Sequence, residues 1–184
     1  MQISVLLFVV LFVSQACEGS EQPQSCVTCP EGWTFWGSAC YRFFNNPIST
    51  WIDAEASCNR YSLHQQGRRL VGHLATITSS EENTFVLDLW KTIRRDTHVW
   101  LGYNDRETEG TFVDVEGVSS QFTFWDQAEP NDSGGEDCVV MWNSDTNHDN
   151  GSWNDVPCEY EYAFVCKVVK PINLYIVDCN SHMV

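Results

Sequence analysis

Nine cysteines constrain this chain more than any other feature: Cys17, Cys26, Cys29, Cys40, Cys58, Cys138, Cys158, Cys166 and Cys179. In an exported protein a set of this size forms a disulfide framework. Cys26 and Cys29 make a Cys-x-x-Cys pair, which raises zinc as a rival. No second ligand pair follows at finger-like spacing, and oxidation prevails outside the cell. Spacing alone leaves the connectivity open.

The compartment is read from the amino terminus. Residues 3–13 are apolar apart from Ser4 and are followed by Ser14, Gln15 and Ala16, the pattern of a secretory signal peptide. The run is shorter than the ~20 apolar residues that span a bilayer, and no second apolar span follows. Residues 1–16 are therefore expected to be a cleaved signal and the protein to be secreted, with no membrane span. Cleavage after Ala16 would leave Cys17 at the mature terminus, and cleavage after Gly19 would remove it. Residues 17–28 are short, mostly polar and contain Pro23, so they read as a leader. Residues 29–167 form one domain, and residues 168–184 a carboxy-terminal tail.

The formal net charge of −15 argues against nucleic acid and anionic membranes, which attract basic surfaces. The acids are unevenly placed. No Lys or Arg lies between Arg106 and Lys167, and 14 of the 25 acidic residues fall between Glu107 and Glu161. Such crowding repels itself unless a cation neutralises it.

Local patterns give an α+β order. Aromatics on both sides of Gly37-Ser38 predict a β-hairpin. Ser49 or Thr50, with Asp53, caps a helix whose Trp51, Ala54 and Cys58 share a face. Residues 70–77 read as a connecting stretch. Ser79 and Glu82 form a capping box before a second helix with a stripe of Phe85, Leu89 and Ile93. Val99, Trp100 and Leu101 predict a buried strand closed by Gly102. Further strands are expected at residues 138–142 and 162–169, with a polar loop over residues 143–152. Trp51, Trp100, Trp125 and Trp153 are read as core, and His148 as a solvated loop residue.

Calcium takes about 6–8 oxygen ligands from carboxylates, amide and backbone carbonyls and water. Glu129-Pro130-Asn131, Glu136 and Asn154-Asp155 offer three carboxylates and two amides from two loops. Trp100-Leu101-Gly102, Glu129-Pro130-Asn131, Glu136-Asp137-Cys138 and Trp153-Asn154-Asp155 occur in an order that resembles a C-type lectin carbohydrate-recognition domain, with Cys158 and Cys166 following as in that family. The resemblance spans roughly residues 29–167.

The resemblance implies a two-helix α+β domain with small antiparallel sheets, long calcium-binding loops, and disulfides Cys58–Cys166, Cys138–Cys158 and Cys29–Cys40. Cys26 and Cys179, with or without Cys17, are left to pair with each other or to link chains into a homo-oligomer. The second is favoured because both lie in tails. The resemblance also implies a principal calcium and sugar site at Glu129, Asn131, Glu136, Asn154 and Asp155. Pro130 would be cis, and Asp155 would add its backbone carbonyl. An auxiliary calcium site is implied at Asp105, Glu109, Asp132 and Asp137, with the carbonyl of Glu136.

Carboxylates accept hydrogen bonds and amide nitrogens donate them, so this set tests for a vicinal diol. Glu-Pro-Asn resembles the mannose-type members, which implies mannose, glucose, N-acetylglucosamine or fucose on cell or microbial glycans. The galactose-type members carry Gln-Pro-Asp. Two sequons occur, Asn131-Asp132-Ser133 and Asn150-Gly151-Ser152. A glycan on Asn131 would remove a calcium ligand, which leaves Asn150 as the expected acceptor. A hydrolase using Glu129 and Glu136 as an acid and base pair is disfavoured, because neither sits in an apolar run. The expectation is therefore a binding protein and not an enzyme. A domain of the same type turned to a protein, lipid or mineral partner is the alternative.

Overall fold

The computed structural model describes residues 29–65, 68–93, 97–142 and 151–169. Strand β1 (Thr34–Trp36) turns at Gly37-Ser38 into β2 (Ala39–Ser49), and Trp36 pairs with Ala39 across the turn. Gly37 has φ +57°, a conformation glycine adopts without a Cβ penalty. Thr50 then caps α1 (Trp51–Cys58): its hydroxyl oxygen accepts the Asp53 N–H at 3.3 Å, and its hydroxyl donates to the Asp53 carboxylate at 3.0 Å. The buried face of α1 is Trp51, Ala54 and Cys58.

Residues 70–77 are more than a connection. They contribute the end of β4 (Arg68–Val71), which pairs with β3 (Ser62–Gln65), and all of β5 (His73–Leu74). Leu74, Ala75 and Ile77 are buried in the core. The segment is too short to show a period of its own, because its strand pairs with a partner more than ninety residues later.

Helix α2 (Ser80–Ile93) differs from its sequence reading at two points. Ser79 accepts the Glu82 N–H at 3.2 Å, but the Glu82 carboxylate does not return to Ser79. It takes the N–H and hydroxyl of Thr78 at 2.9 and 2.7 Å. The buried face is also rotated. Glu82, Asn83, Val86, Leu87 and Trp90 point inward, while Phe85 and Leu89 are half-buried on its shoulder.

The remaining strands are β6 (Val99–Asn104), β7 (Val113–Asp114), β8 (Cys138–Met141), β9 (Trp153–Val156) and β10 (Tyr162–Val169). The larger sheet runs β1-β2-β10-β6-β8-β9, with β5 on β10 and β7 on β6. Successive strand residues face opposite sides, and two cores result. Leu101, Val139, Met141 and Val165 join Val86, Leu87 and Trp90 of α2. Trp100, Val140, Phe164 and Cys166 join Trp51, Ala54 and Cys58 of α1. Each helix covers one face, so the central strands are largely apolar on both sides, with Lys167 of β10 and Asn104 of β6 as polar exceptions. Disulfides join Cys29 to Cys40, Cys58 to Cys166 and Cys138 to Cys158.

Gly102 does not close β6 but lies within it. Its N–H donates to the Ala75 carbonyl at 2.9 Å, and a Cβ there would stand 2.5 Å from the Leu74 carbonyl oxygen. Backbone would have to move to admit a methyl group. Gly102→Ala is therefore expected to destabilise the domain by about 1–3 kcal/mol, read as a lower urea midpoint. An unchanged midpoint would show that β5 and β6 can separate freely.

Candidate functional site

Strand β9 carries the central carboxylate. Its four residues are all buried, and it pairs antiparallel with β8 through Val139↔Asp155 and Val140↔Asn154. Asp155 is only 1% exposed and Asn154 7%. A buried carboxylate needs donors, and Asp155 finds them in the loop that precedes β8. Its oxygens accept the Asn131 N–H at 3.1 Å and the Asp132 N–H at 2.9 Å. The same loop is tied to β9 from behind, because Asp126 N–H donates to the Trp153 carbonyl and Glu129 N–H to the Asp126 carbonyl, at 2.8 and 3.1 Å.

This docking brings the expected residues together. The Glu129–Pro130 bond is cis, and the Asn131 side-chain amide donates to the Glu129 carboxylate. Ser133 N–H donates to Glu136 at 3.0 Å. Ala128 and Asp132 have φ +70° and +46°, a region that residues other than glycine adopt rarely and that concentrates at functional loops.

Electrostatically the site is short of positive charge. Burial pushes the Glu129 carboxyl above its ordinary range, and so do its hydrogen bond to Asp155 and the charges of Asp155 and Glu136; the Asn131 amide partly opposes this. Burial likewise raises Glu136, helped by the charges of Asp155 and Asp132 and opposed by Ser133 N–H.

A second cluster adjoins the first. Carboxylate oxygens of Asp105, Glu109 and Asp137 lie within 4.8 Å of one another. Asp105 is 2% exposed, and burial, with the Glu109 and Asp137 charges, pushes its carboxyl up to about 6 against the Gly110 N–H that it accepts. Asp132 stands outside this trio and accepts the Glu136 N–H at 2.9 Å.

Each cluster contains an orphaned acceptor. Asp105 Oδ1 and Asn154 Oδ1 are buried without a hydrogen-bond partner. Buried acceptors in proteins are nearly always satisfied, and two bare oxygens among crowded carboxylates fit a hard, oxygen-seeking cation. Asn150 and His148 lie outside the described residues, as do Cys17, Cys26 and Cys179. Trp51, Trp100 and Trp153 are buried, and Trp125 is half-buried against the core.

A family model for the lectin C-type domain matches residues 48–168. The chain belongs to the C-type lectin domain family. An alpha-N-acetylgalactosamine-specific lectin of Patiria pectinifera is 36% identical to this C-type lectin domain protein over 170 residues, covering 89% of this chain and 94% of that one. Echinoidin of Heliocidaris crassispina is 37% identical over 146 residues, covering 76% and 96%. Among solved structures, C-type lectin CEL-I from Cucumaria echinata superposes with a TM-score of 0.70 at 27% identity, covering 79% of this chain and all 100% of that one. Family membership fits the two-helix fold and a domain type that generally binds calcium. Among the described residues of this lectin-family chain, no helix is long and apolar enough to cross a membrane.

Sequence reasoning missed the burial of Asp155 and the residues that support β9, Asn83 above all. The one available signal was composition, since Asn is a poor interior helix residue and its place between Glu82 and the apolar Val86 is unusual for a surface position.

Proposed function

We propose that this domain binds sugars non-enzymatically, through calcium held by Glu129, Asn131, Glu136, Asn154 and Asp155. The reading rests above all on one observation: the buried Asp155 carboxylate gathers the 129–132 loop beside the unpartnered oxygen of Asn154. When bound, calcium supplies coordination to sugar hydroxyl oxygens. Glu129 and Glu136 accept hydrogen bonds from those hydroxyls, and the amide nitrogens of Asn131 and Asn154 donate to them. Two neighbouring hydroxyls of suitable geometry meet all of these demands together. Asp105, Glu109 and Asp137, with Asp132 beside them, hold a second calcium that orders the loops.

The Glu-Pro-Asn order places acceptor before donor, which supports mannose, glucose, N-acetylglucosamine or fucose. The relative specific for alpha-N-acetylgalactosamine favours a second reading, a galactose-type ligand. Retention on mannose–agarose in calcium, with release by EDTA or free mannose, is the expected result. A glycan array separates the two readings, and Glu129→Gln with Asn131→Asp is expected to lose mannose retention. Retention that ignores EDTA would sink the calcium mechanism, and binding to no sugar at all would favour a protein, lipid or mineral partner.

Acid should act in the same direction. Chelation needs ionised carboxylates, and Glu129, Glu136 and Asp105 all hold their protons more tightly than usual. Calcium and sugar are therefore expected to leave together as pH falls, starting above the ordinary carboxylate range, and a calcium titration at successive pH values checks this.

The protein is further proposed to be exported after loss of residues 1–16, with residues 29–167 as the binding domain and Asn150 as glycan acceptor. Its ligands are cell-surface or microbial glycans. Single sites of this kind are weak, and linkage through Cys26 or Cys179 would supply avidity. Non-reducing electrophoresis reads that linkage directly.

A further inference from the structure

We propose that Asn83, in the first turn of α2, is a positioning residue for the calcium and sugar ligands of β9. The inference rests on the calcium reading above. Asn83 is 3% exposed, and an Asn buried in a helix sacrifices both helix propensity and hydration. It is tolerated here because both ends of its amide are used on one short segment. Asn83 Nδ2 donates to the Gly151 carbonyl at 3.0 Å, and Asn83 Oδ1 accepts the Trp153 indole N–H at 2.8 Å. The amide thus grips the chain at two points on either side of Ser152, immediately before Asn154 and Asp155.

The approach is close. Gly151 has φ +77°, and a Cβ there would lie 3.0 Å from Asn83 Nδ2 and 3.3 Å from a Leu87 methyl carbon. Other contacts fix the same segment from other sides. Trp142 N–H donates to the Ser152 carbonyl at 2.8 Å, and Trp153 N–H to the Phe124 carbonyl at 2.7 Å. The Trp153 ring lies against Tyr103, Phe122 and Trp125. Asn83 is the contribution of α2 to this clamp. It sets the depth and rotation at which β9 begins, and so where Asn154 and Asp155 stand against the 129–132 loop. It touches neither ion nor sugar and acts through the strand.

Supporting residues of this kind alter metal affinity by about 10–100-fold when removed. The test compares calcium titrations of wild type, Asn83→Leu and Val86→Ala at a temperature where circular dichroism shows each fully folded. Val86 is buried on the same helix face, so its truncation lowers stability without removing the grip. The expected result is at least tenfold weaker calcium binding for Asn83→Leu and wild-type affinity for Val86→Ala. Equal affinity in wild type and Asn83→Leu would overturn the proposal, and so would an equal loss in Val86→Ala. Should Asn83→Leu fail to fold, Asn83→Asp decides. It keeps the acceptor for Trp153 but loses the donor to Gly151, and a wild-type affinity there overturns the proposal. A wild-type protein that binds no calcium removes the site reading itself, a result distinct from the others.

Discussion

Glu82→Ala is expected to lower unfolding stability by about 3–5 kcal/mol, the range for removing one partner of a buried ion pair. Glu82 is 1% exposed. Its carboxylate accepts from Lys167 Nζ at 2.6 Å, from the Tyr41 hydroxyl at 2.5 Å and from the N–H and hydroxyl of Thr78. Alanine would leave the largely buried Lys167 ammonium donating to the Thr76 carbonyl, at 2.8 Å, with no carboxylate among the described residues to balance its charge. A loss of this size is a large part of the ~5–15 kcal/mol that holds a domain together. Replacing both charges, with Glu82→Met and Lys167→Met, is expected to recover much of it, because the stranded charge is gone.

The same network gives a pH signature. Burial pushes the Glu82 carboxyl up, but the charge of Lys167 and the hydrogen bonds from Lys167, Tyr41 and Thr78 outweigh it and hold the group below its ordinary value of 4.5. A depressed carboxylate contributes stability above its unfolded pKa and loses it as pH falls through the folded one. The gap between wild type and Glu82→Ala in urea midpoints should therefore be full at neutral pH and close in acid below that ordinary value. A gap of constant size across that range would show that packing, and not charge, is what Glu82 supplies.

Glu82 also shows what a sequence can reveal and what it cannot. The bond of its N–H to the Ser79 cap was legible, since Ser79 and the spacing of three are local signals. Its carboxylate, however, binds Tyr41 and Lys167, 41 and 85 residues away, and no local pattern carries that. The same division holds elsewhere. Helix α1 was readable because its cap and its apolar face lie within nine residues. Strand β5 was not, because its two residues make a strand only against β10. Gly102 read as a terminator because the Leu74 backbone pressed against it is invisible in sequence.

At the site, the order of the tripeptides revealed which carboxylates belong together, and residue chemistry suggested a cation. The placement of Asp155 was not legible. Nothing in Trp153-Asn154-Asp155 says that the aspartate is buried and holds the other loop by its backbone. Disulfide connectivity was likewise closed to spacing and came from family resemblance.

Two of those disulfides should separate stability from binding. Cys58–Cys166 spans 108 residues, and a loop of ~100 residues is worth about 4.7 kcal/mol in the chain-entropy model. It joins the last residue of α1 to β10 within the second core, and the segment it closes is not limited to the proposed ligand residues. Cys138–Cys158 spans only 20 residues, a closure worth roughly 3 kcal/mol. Those residues include β9, and Cys138 pairs with Val156. Glu136 and Asp137 precede Cys138 directly, and Asn154 and Asp155 lie between the two cysteines. Losing this bridge lets the start of β8 and the end of β9 drift apart, and of the proposed ligands Glu136 and Asp137 lie just before β8 while Asn154 and Asp155 lie within β9. Cys58→Ala with Cys166→Ala is thus expected to lower the denaturant midpoint more, while leaving calcium affinity unchanged in whatever fraction stays folded. Cys138→Ala with Cys158→Ala is expected to lower the midpoint less and to weaken calcium binding by about tenfold or more, as loss of ligand support does. Midpoints and calcium titrations on both double variants read the two effects. Equal calcium affinities would mean that the β8–β9 pairing alone holds the ligands in place.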